Sequence, residues 1–317
     1  MGFMDNGQWV SEEPKERIQR GRYVRPTTQF RDEVTADGAS GLKAEAGRYH
    51  LFIAHACPWA HRTLIVRALK GLEDVISVEA AKPLMLDNGW ELERTSEVVA
   101  GANYMHDVYR AAKADYSGRC SVPVLWDKER KTIVSNESAD IVRTLNGGFD
   151  GLATRQVPDL YTPALRMRID EVNELVYHNI NNGVYKCGFA TTQASYEENF
   201  TNLFAALDQV EETLSKQRYL CGGQVTEADW RLFATLVRFD AVYVGHFKCN
   251  RNRIADYPNL SNYTRELFQW PGIAATFDYD LTKQHYYGSH ESINPHRIVA
   301  VGPNIDLNEP HDRARLS

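Results

Sequence analysis

The chain is 317 residues long, 43% hydrophobic and 25% charged, with a formal net charge of −6. That is the composition of a globular protein large enough for two domains or one large one. It has no Lys/Arg run, no basic tail and no apolar stretch near the roughly 18 residues of a membrane span, so neither nucleic acid nor membrane is an expected partner. The polar start from Met1 to Pro14 is no signal peptide, and Asn6 breaks the myristoylation pattern that Gly2 begins. The five cysteines (Cys57, Cys120, Cys187, Cys221 and Cys249) are odd in number, widely spaced and free of any CxxC. This argues against a disulfide framework and for a reducing, cytoplasmic compartment, with at most one nucleophile among small packed side chains.

Residues 1–45 hold turn clusters (Arg25-Pro26-Thr27-Thr28, Ala36-Asp37-Gly38) and no sustained period. They are expected to form an ordered extension around the first domain or a partly mobile arm. Residues 46–150 form an α/β unit. Tyr49 to Ala54 is a short apolar run that predicts a buried strand. Pro58 opens a helix with an apolar face at Ile65, Ala68, Leu69 and Leu72. Val75 to Val78 predicts a second strand, and 82–115 a long polar insertion with some helical character. Val122 to Trp126 and Thr132 to Ser135 predict two strands joined by the charged turn Asp127-Lys128-Glu129-Arg130, and Ser138 to Leu145 a helix. The stretch Asn146 to Gly151 is the candidate linker. The second domain, 151–290, is predicted all-α, with helices marked by Leu165 to Val176, Phe200 to Leu214, Trp230 to Val237 and Leu260 to Phe268. Coil is expected from about 288, and residues 291–317 form a tail.

Cys57-Pro58-Trp59-Ala60 stands where a strand meets a helix. Unpaired N–H groups and the positive end of the helix dipole favour a thiolate there, and His55, His61 and Arg62 could add positive charge. A reactive thiol is preferred to a buried structural one. In the two-cysteine redox form of this turn a second Cys stands three residues on; here that place is Ala60. Cys57 therefore needs an external thiol to resolve a mixed disulfide. The spacing His55-x-Cys57-x3-His61 matches no zinc signature, so no metal is expected. Val122-Pro123 is either an edge-strand proline or a cis bond that leaves Val122 N–H and C=O for a peptide-like ligand; after a CPWA turn, cis is favoured. Ser138 is expected to N-cap its helix, and either only caps or also holds a ligand carboxylate, with Glu137 holding an ammonium. Thr226-x-x-Asp229 is a structural capping-box variant. Tyrosines in the helical half (Tyr161, Tyr185, Tyr243, Tyr286, Tyr287) are more often half-buried core than ligand contacts. The run His285-Tyr286-Tyr287-Gly288-Ser289-His290 is unusual for a core helix, however, and a hydroxyl-lined pocket would suit a phenolic substrate.

Together these segments resemble the glutathione transferase superfamily and, within it, the Xi class, the glutathionyl-hydroquinone reductases. The matching residues are Phe30-Arg31, Cys57-Pro58-Trp59-Ala60-His61-Arg62, Gly89-Trp90 with Glu93-Arg94, Val122 to Asp127, Asn136-Glu137-Ser138, and the tail from His285-Tyr286-Tyr287-x-Ser289-His290 through Asn294-Pro295 and Gly302-Pro303. The resemblance covers nearly the whole chain. It implies a thioredoxin-like N-terminal domain and a C-terminal helical bundle. It implies that Cys57 removes glutathione from glutathionyl-hydroquinones through a Cys57–glutathione mixed disulfide, which a second glutathione resolves. Trp90 and Arg94 would then cover glutathione, Val122 would pair with its backbone, and Glu137 and Ser138 would hold its γ-glutamyl end. Tyr161, Tyr185 and Tyr286 would bind the hydroquinone, and a homodimer would form through the helical domain. The alternative is an Omega-like thiol transferase or dehydroascorbate reductase, which needs Cys57 but not the tyrosines. A non-catalytic interaction module fits poorly with a nucleophile and a full glutathione set, and conjugation fits poorly with a cysteine where a hydroxyl is needed.

Overall fold

The computed structural model of the chain describes residues 2–12, 18–19, 22–23 and 27–316. Of the stretches singled out above, Met1, Pro14, Arg25, Pro26 and Ser317 lie outside the described residues. The described residues form two compact units: 2–12, 27–157 and 276–285 make the first, and 18–19, 22–23, 158–275 and 286–316 the second.

The chain does not start as irregular coil. Strands β1 (Phe3–Asp5) and β2 (Gln8–Val10) pair antiparallel around an Asn6-Gly7 turn with both residues at positive φ, 46° and 77°. Asn-Gly accepts that conformation readily, and three-residue strands are too short to show a period. A second hairpin, β3 (Ile18–Gln19) with β4 (Arg22–Tyr23), belongs to the second unit. Residues 30–32 run along the sheet edge of the first unit. Asn136 donates its N–H to Phe30 O at 3.1 Å and Asp32 its N–H to Val134 O at 2.9 Å. Arg31 clasps Asp140 with two bonds of 2.7 and 2.8 Å.

Strands β5 (Tyr49–Ile53), β6 (Ser77–Leu86), β7 (Gly89–Leu92), β8 (Val124–Asp127) and β9 (Thr132–Ser135) form one sheet in the order β7-β6-β5-β8-β9. Only the β5–β6 pair is parallel. The central strand β5 is buried throughout, as its apolar run predicts. Helices α1 (Pro58–Lys70), α2 (Met105–Ala112) and α3 (Ser138–Arg143) complete the unit. The single apolar face expected of α1 is too narrow: twelve of its 13 residues are buried, so its polar side chains need internal partners, as when Lys70 Nζ donates to Asp150 at 2.7 Å. Gly71 ends α1 at φ 63°, and a Cβ there would sit 2.2 Å from Thr154 Oγ1, so this C-cap admits only glycine.

Three other expectations need correction. The second strand starts at Ser77 and runs to Leu86, well into the supposed polar insertion, and returns as β7. Lys82 and Pro83 break its alternation in the sequence, and the pairing absorbs them in a register shift between Ala81 and Met85. The α-helical part of the segment from Ser138 stops at Arg143 and continues as a π-turn, Thr144–Gly148, with a 3-10 turn at Asp150–Leu152, so the Asn146 to Gly151 stretch is helical rather than open. The tail is not all coil: helix α9 (Tyr279–Ser289) passes 288, and Arg313, fully buried, donates to the carbonyls of Leu214, Gln217 and Arg218.

The second unit is helical, as the 3.6-residue period predicts: α4 (Arg166–Leu175), α5 (Gly183–Gly188), α6 (Gln193–Lys216), α7 (Glu227–Arg238) and α8 (Pro258–Phe268). Helix α5, six residues that begin and end in glycine, carries too little period to be legible. Helix α9 begins in the first unit (279–285) and ends in the second (286–289). The capping box at Thr226 and Asp229 forms. The buried Asp229 carboxylate also accepts from Leu220 N–H at 2.9 Å and Tyr263 Oη at 2.8 Å. Among the described residues no helix is long and apolar enough to cross a membrane.

At the β8–β9 turn, Asp127 accepts from Arg48 Nε and Nη2 (3.1 and 2.6 Å) and from the N–H groups of Glu129 and Arg130. Burial pushes this carboxyl up, but the Arg48 bond and the two amides outweigh it, and its pKa lies below the usual aspartate value. A carboxyl whose folded pKa is depressed contributes stability above its unfolded pKa of about 4 and loses it as pH falls through the folded value. Asp127→Asn is therefore expected to cost about 1–3 kcal/mol at pH 7. The gap to wild type should shrink below about pH 4, as urea-unfolding midpoints across that range will register.

Candidate active site

The first unit brings most of the expected glutathione residues to one edge of its sheet. Helix α1 follows β5 directly, so Cys57, its N-cap, stands just past the end of that strand at φ −74° and ψ 118°. Its N–H donates to Ala54 O and its carbonyl accepts from His61 N–H, each at 2.9 Å. The register pairs Phe52 with Val124, which sets residues 122–123 beside the Cys57 turn. The Val122–Pro123 bond is cis, and the Cys57 thiol donates to Val122 O at 3.5 Å. Cys57 is half-buried, and none of the five cysteines is disulfide-bonded. The residue three on is Ala60, so the turn itself offers no resolving thiol. His61 Nε2 pairs with Thr276 Oγ1 at 2.8 Å, and the Arg62 guanidinium lies 4.4 Å from the Trp59 ring centre. The N-terminus of α1 is a positive element that the geometry puts at the sulfur.

Strand β9 runs antiparallel to β8, so Ser135 ends at the same edge and Glu137-Ser138 follow it there. Glu137, not Ser138, is the N-cap of α3: the chain is extended at Glu137 (φ −103°, ψ 115°) and its carboxylate accepts from Ala139 N–H at 3.3 Å. Ser138 is already in the helix, where its hydroxyl is 3.4 Å from the Glu137 carboxylate. The other oxygen of Glu137 accepts from Thr28 Oγ1 at 3.3 Å, so the extension supports this corner, a contact with no signal in the sequence. At the opposite side of the sheet, Trp90 on β7 is buried and stacked on His285 at 4.7 Å, and Arg94, two residues past β7, is exposed.

In the second unit, Tyr185 on α5 and Tyr286 on α9 join hydroxyls at 2.6 Å. Tyr243, in the π-turn after α7, adds a third hydroxyl, 3.1 Å from that of Tyr286. Tyr243 and Tyr286 are buried and Tyr185 is half-buried. Burial, then the neighbouring Tyr185 and Tyr243, hold the Tyr286 hydroxyl well above its ordinary pKa, against a downward pull from Arg238; Tyr286 is a proton-bearing donor at neutral pH. Tyr161 is placed otherwise: its hydroxyl donates to Asp170 at 2.7 Å, and the Arg166 guanidinium lies 5.2 Å from its ring centre. Tyr243 has the same spacing as any core aromatic, so only the fold reveals its place in the hydroxyl chain.

Residues 56–147 match the glutathione S-transferase N-terminal domain and residues 193–266 the glutathione S-transferase C-terminal domain. The chain is 48% identical to glutathionyl-hydroquinone reductase YqjG of Escherichia coli, over 99% of this chain and 98% of that protein. It is 49% identical to glutathionyl-hydroquinone reductase PcpF of Sphingobium chlorophenolicum, over 96% of each. The chain belongs to the glutathione transferase family, in its Xi class. The Xi-class transferase of Natrialba magadii superposes with a TM-score of 0.93 at 43% identity, covering 100% of this chain and 98% of that one. The glutathione-bound structure of YqjG gives a TM-score of 0.87 at 50% identity, covering 90% and 96%. The fold is thus a thioredoxin-like N-terminal domain followed by a C-terminal helical domain, as the sequence predicts.

Removing the central hydroxyl of the tyrosine chain deprives two others of a partner. Tyr286→Phe is expected to lower stability by about 1–3 kcal/mol, and Tyr185→Phe, at the wetter end, by under about 1 kcal/mol. Denaturant unfolding of the two variants side by side checks the order.

Proposed function

We propose that this transferase is a glutathionyl-hydroquinone reductase, with glutathione as co-substrate. The observation that carries the reading is Cys57 at the N-terminus of α1 with Ala60 in place of a resolving cysteine, in a chain similar from end to end to two proteins of that activity. A thiolate so placed is a nucleophile, and its mixed disulfide must wait for an external thiol.

In this reading Cys57 attacks the sulfur of the conjugate. The aryl carbon–sulfur bond breaks and its electron pair leaves with the ring carbon, which takes up a proton, so hydroquinone is released and Cys57 holds glutathione as a mixed disulfide. The thiolate of a second glutathione then attacks that disulfide, and glutathione disulfide departs as the Cys57 thiolate is restored. The carbon–sulfur bond is reduced to carbon–hydrogen, and two glutathionyl sulfurs, the thioether of the conjugate and the thiol of the second glutathione, supply the two electrons.

The roles follow the family resemblance and the donor chemistry. Val122 pairs its backbone with the tripeptide, Glu137 faces the γ-glutamyl ammonium, and Ser138 offers a hydroxyl to the carboxylate. Trp90 and Arg94 cover the bound molecule. Tyr185 and Tyr286 take the hydroquinone hydroxyls, with Tyr161 a third contact. A homodimer through the helical domain, a cytoplasmic location, and functional halves at 46–150 and 151–290 complete the reading.

Purified protein with a glutathionyl-hydroquinone and excess glutathione is expected to release free hydroquinone, followed by chromatography. Cys57→Ser should abolish release, and Tyr185→Phe should slow the conjugate reaction by about tenfold or more while sparing reduction of a small mixed disulfide. Turnover of dehydroascorbate or mixed disulfides with no release of hydroquinone would move the protein to an Omega-like activity.

A further inference from the structure

We propose that His285 is a positioning residue for glutathione: it holds the indole of Trp90 in the plane from which Trp90 covers the co-substrate. This deepens the reading above and rests on its assignment of Trp90. Two independent contacts, both inside the first unit, carry it.

The first is the stack. The His285 imidazole lies on the Trp90 indole with ring centres 4.7 Å apart and planes 21° from parallel. The two residues are 6% and 7% exposed, so water competes little with the contact, and stacked rings at this separation attract beyond the area they bury.

The second contact fixes His285 itself. Its Nδ1 lies 2.9 Å from Pro83 O. A carbonyl only accepts, so Nδ1 carries the hydrogen and the ring orientation is set. Pro83 sits inside the register shift between Ala81 and Met85, where the β6–β7 pairing is interrupted and a strand carbonyl is open to an outside donor. Met85, the next residue to regain the register, is the cross-strand partner of Trp90. The irregularity that hides this strand in the sequence thus supplies the anchor for the ring that stacks on Trp90.

The main chain at this turn is held separately. Trp9 Nε1 donates to Asp87 O at 3.0 Å, and Gly89, at φ 74°, packs so closely that a Cβ would come within 2.8 Å of the Trp9 ring. With the backbone fixed, by the pairing with β6 on one side and by the Glu91–Tyr104 bridge and the Leu92 N–H to Asn103 O bond (2.8 Å) on the other, side-chain rotation of Trp90 is the freedom left. A side chain that must be ordered as its ligand binds weakens affinity, and one already stacked does not. His285 stands in the HYYxSH motif, of which the hydroquinone reading uses only Tyr286.

The test compares His285→Ala, His285→Phe and Trp90→Ala by steady-state kinetics with a glutathionyl-hydroquinone, by calorimetric titration with glutathione, and by thermal melting. His285→Ala should raise the glutathione KM and Kd about 3–10-fold, with kcat at saturation within about twofold of wild type. His285→Phe, which restores the stack without the Pro83 bond, should recover most of that loss. If the alanine variant does not fold, His285→Gln, which keeps a donor for Pro83 but has no ring, carries the same expectation. A glutathione KM unchanged in His285→Ala but raised in Trp90→Ala overturns the proposal and leaves the Trp90 assignment standing. A KM unchanged in both removes that assignment, and the proposal with it. Loss of kcat and melting temperature in step with KM, without rescue by phenylalanine, makes His285 structural only and also overturns the proposal.

Discussion

The contact between the Cys57 thiol and the Val122 carbonyl, 3.5 Å long, depends on a pairing register. Because Phe52 faces Val124 across the β5–β8 ladder, the strand that delivers Cys57 and the segment that enters β8 through Pro123 reach the same edge of the sheet. A slip of one residue would turn every side chain of β5 to the other face and move the Cys57 turn along the ladder. The consequences of the register reach the rest of the first unit. The β8–β9 pairing carries Glu137 and Ser138 to that edge, and the β6–β7 pairing sets Trp90 on the opposite side of the sheet. Arg48, Asp127 and the amides of the β8–β9 turn lock the opposite end of β8.

What was legible in the sequence was local and strong. The buried strand at Tyr49, the proline-opened helix at Pro58, the cis bond at Pro123 and the capping box at Thr226 each rest on residues whose chemistry acts over a few positions. What was not legible fell into two kinds. Short or interrupted elements leave no period: the β1–β2 hairpin, the six residues of α5, and β6 beyond Lys82 and Pro83. Contacts between distant segments leave no signal either. Arg313 closing on the last carbonyls of α6 and the residues after it, Thr28 reaching Glu137, and Tyr243 joining Tyr286 could be found only once the chain was folded. The capping assignment failed for a subtler reason: serine is the better N-cap by type, but the chain turns helical one residue earlier, so Glu137 caps and Ser138 is left facing the caps of its own neighbour.

The tyrosine chain in the second unit shows how burial sets protonation. Three phenols in sequence share hydrogen bonds, and burial makes the central one, Tyr286, hard to ionise. Burial and its neighbours keep Tyr286 a donor, while the half-buried Tyr185 is the member closest to solvent. Such a chain suits recognition of another phenol, whose hydroxyl extends the same series of donors and acceptors. The glutathione half rests on the opposite principle, the positive end of a helix dipole favouring an anion. The two chemistries are separate in the sequence and answer to different substitutions.

The central claim is that Cys57 carries glutathione between the two half-reactions. The direct measurement is the intact mass of the protein after mixing with one equivalent of a glutathionyl-hydroquinone and no glutathione, followed by peptide mapping. The account predicts a gain of one glutathionyl group on the peptide containing Cys57, reversed by adding glutathione, with free hydroquinone released in equal amount. Release of hydroquinone without any modification of Cys57, or a glutathionyl group found on another cysteine, would contradict it.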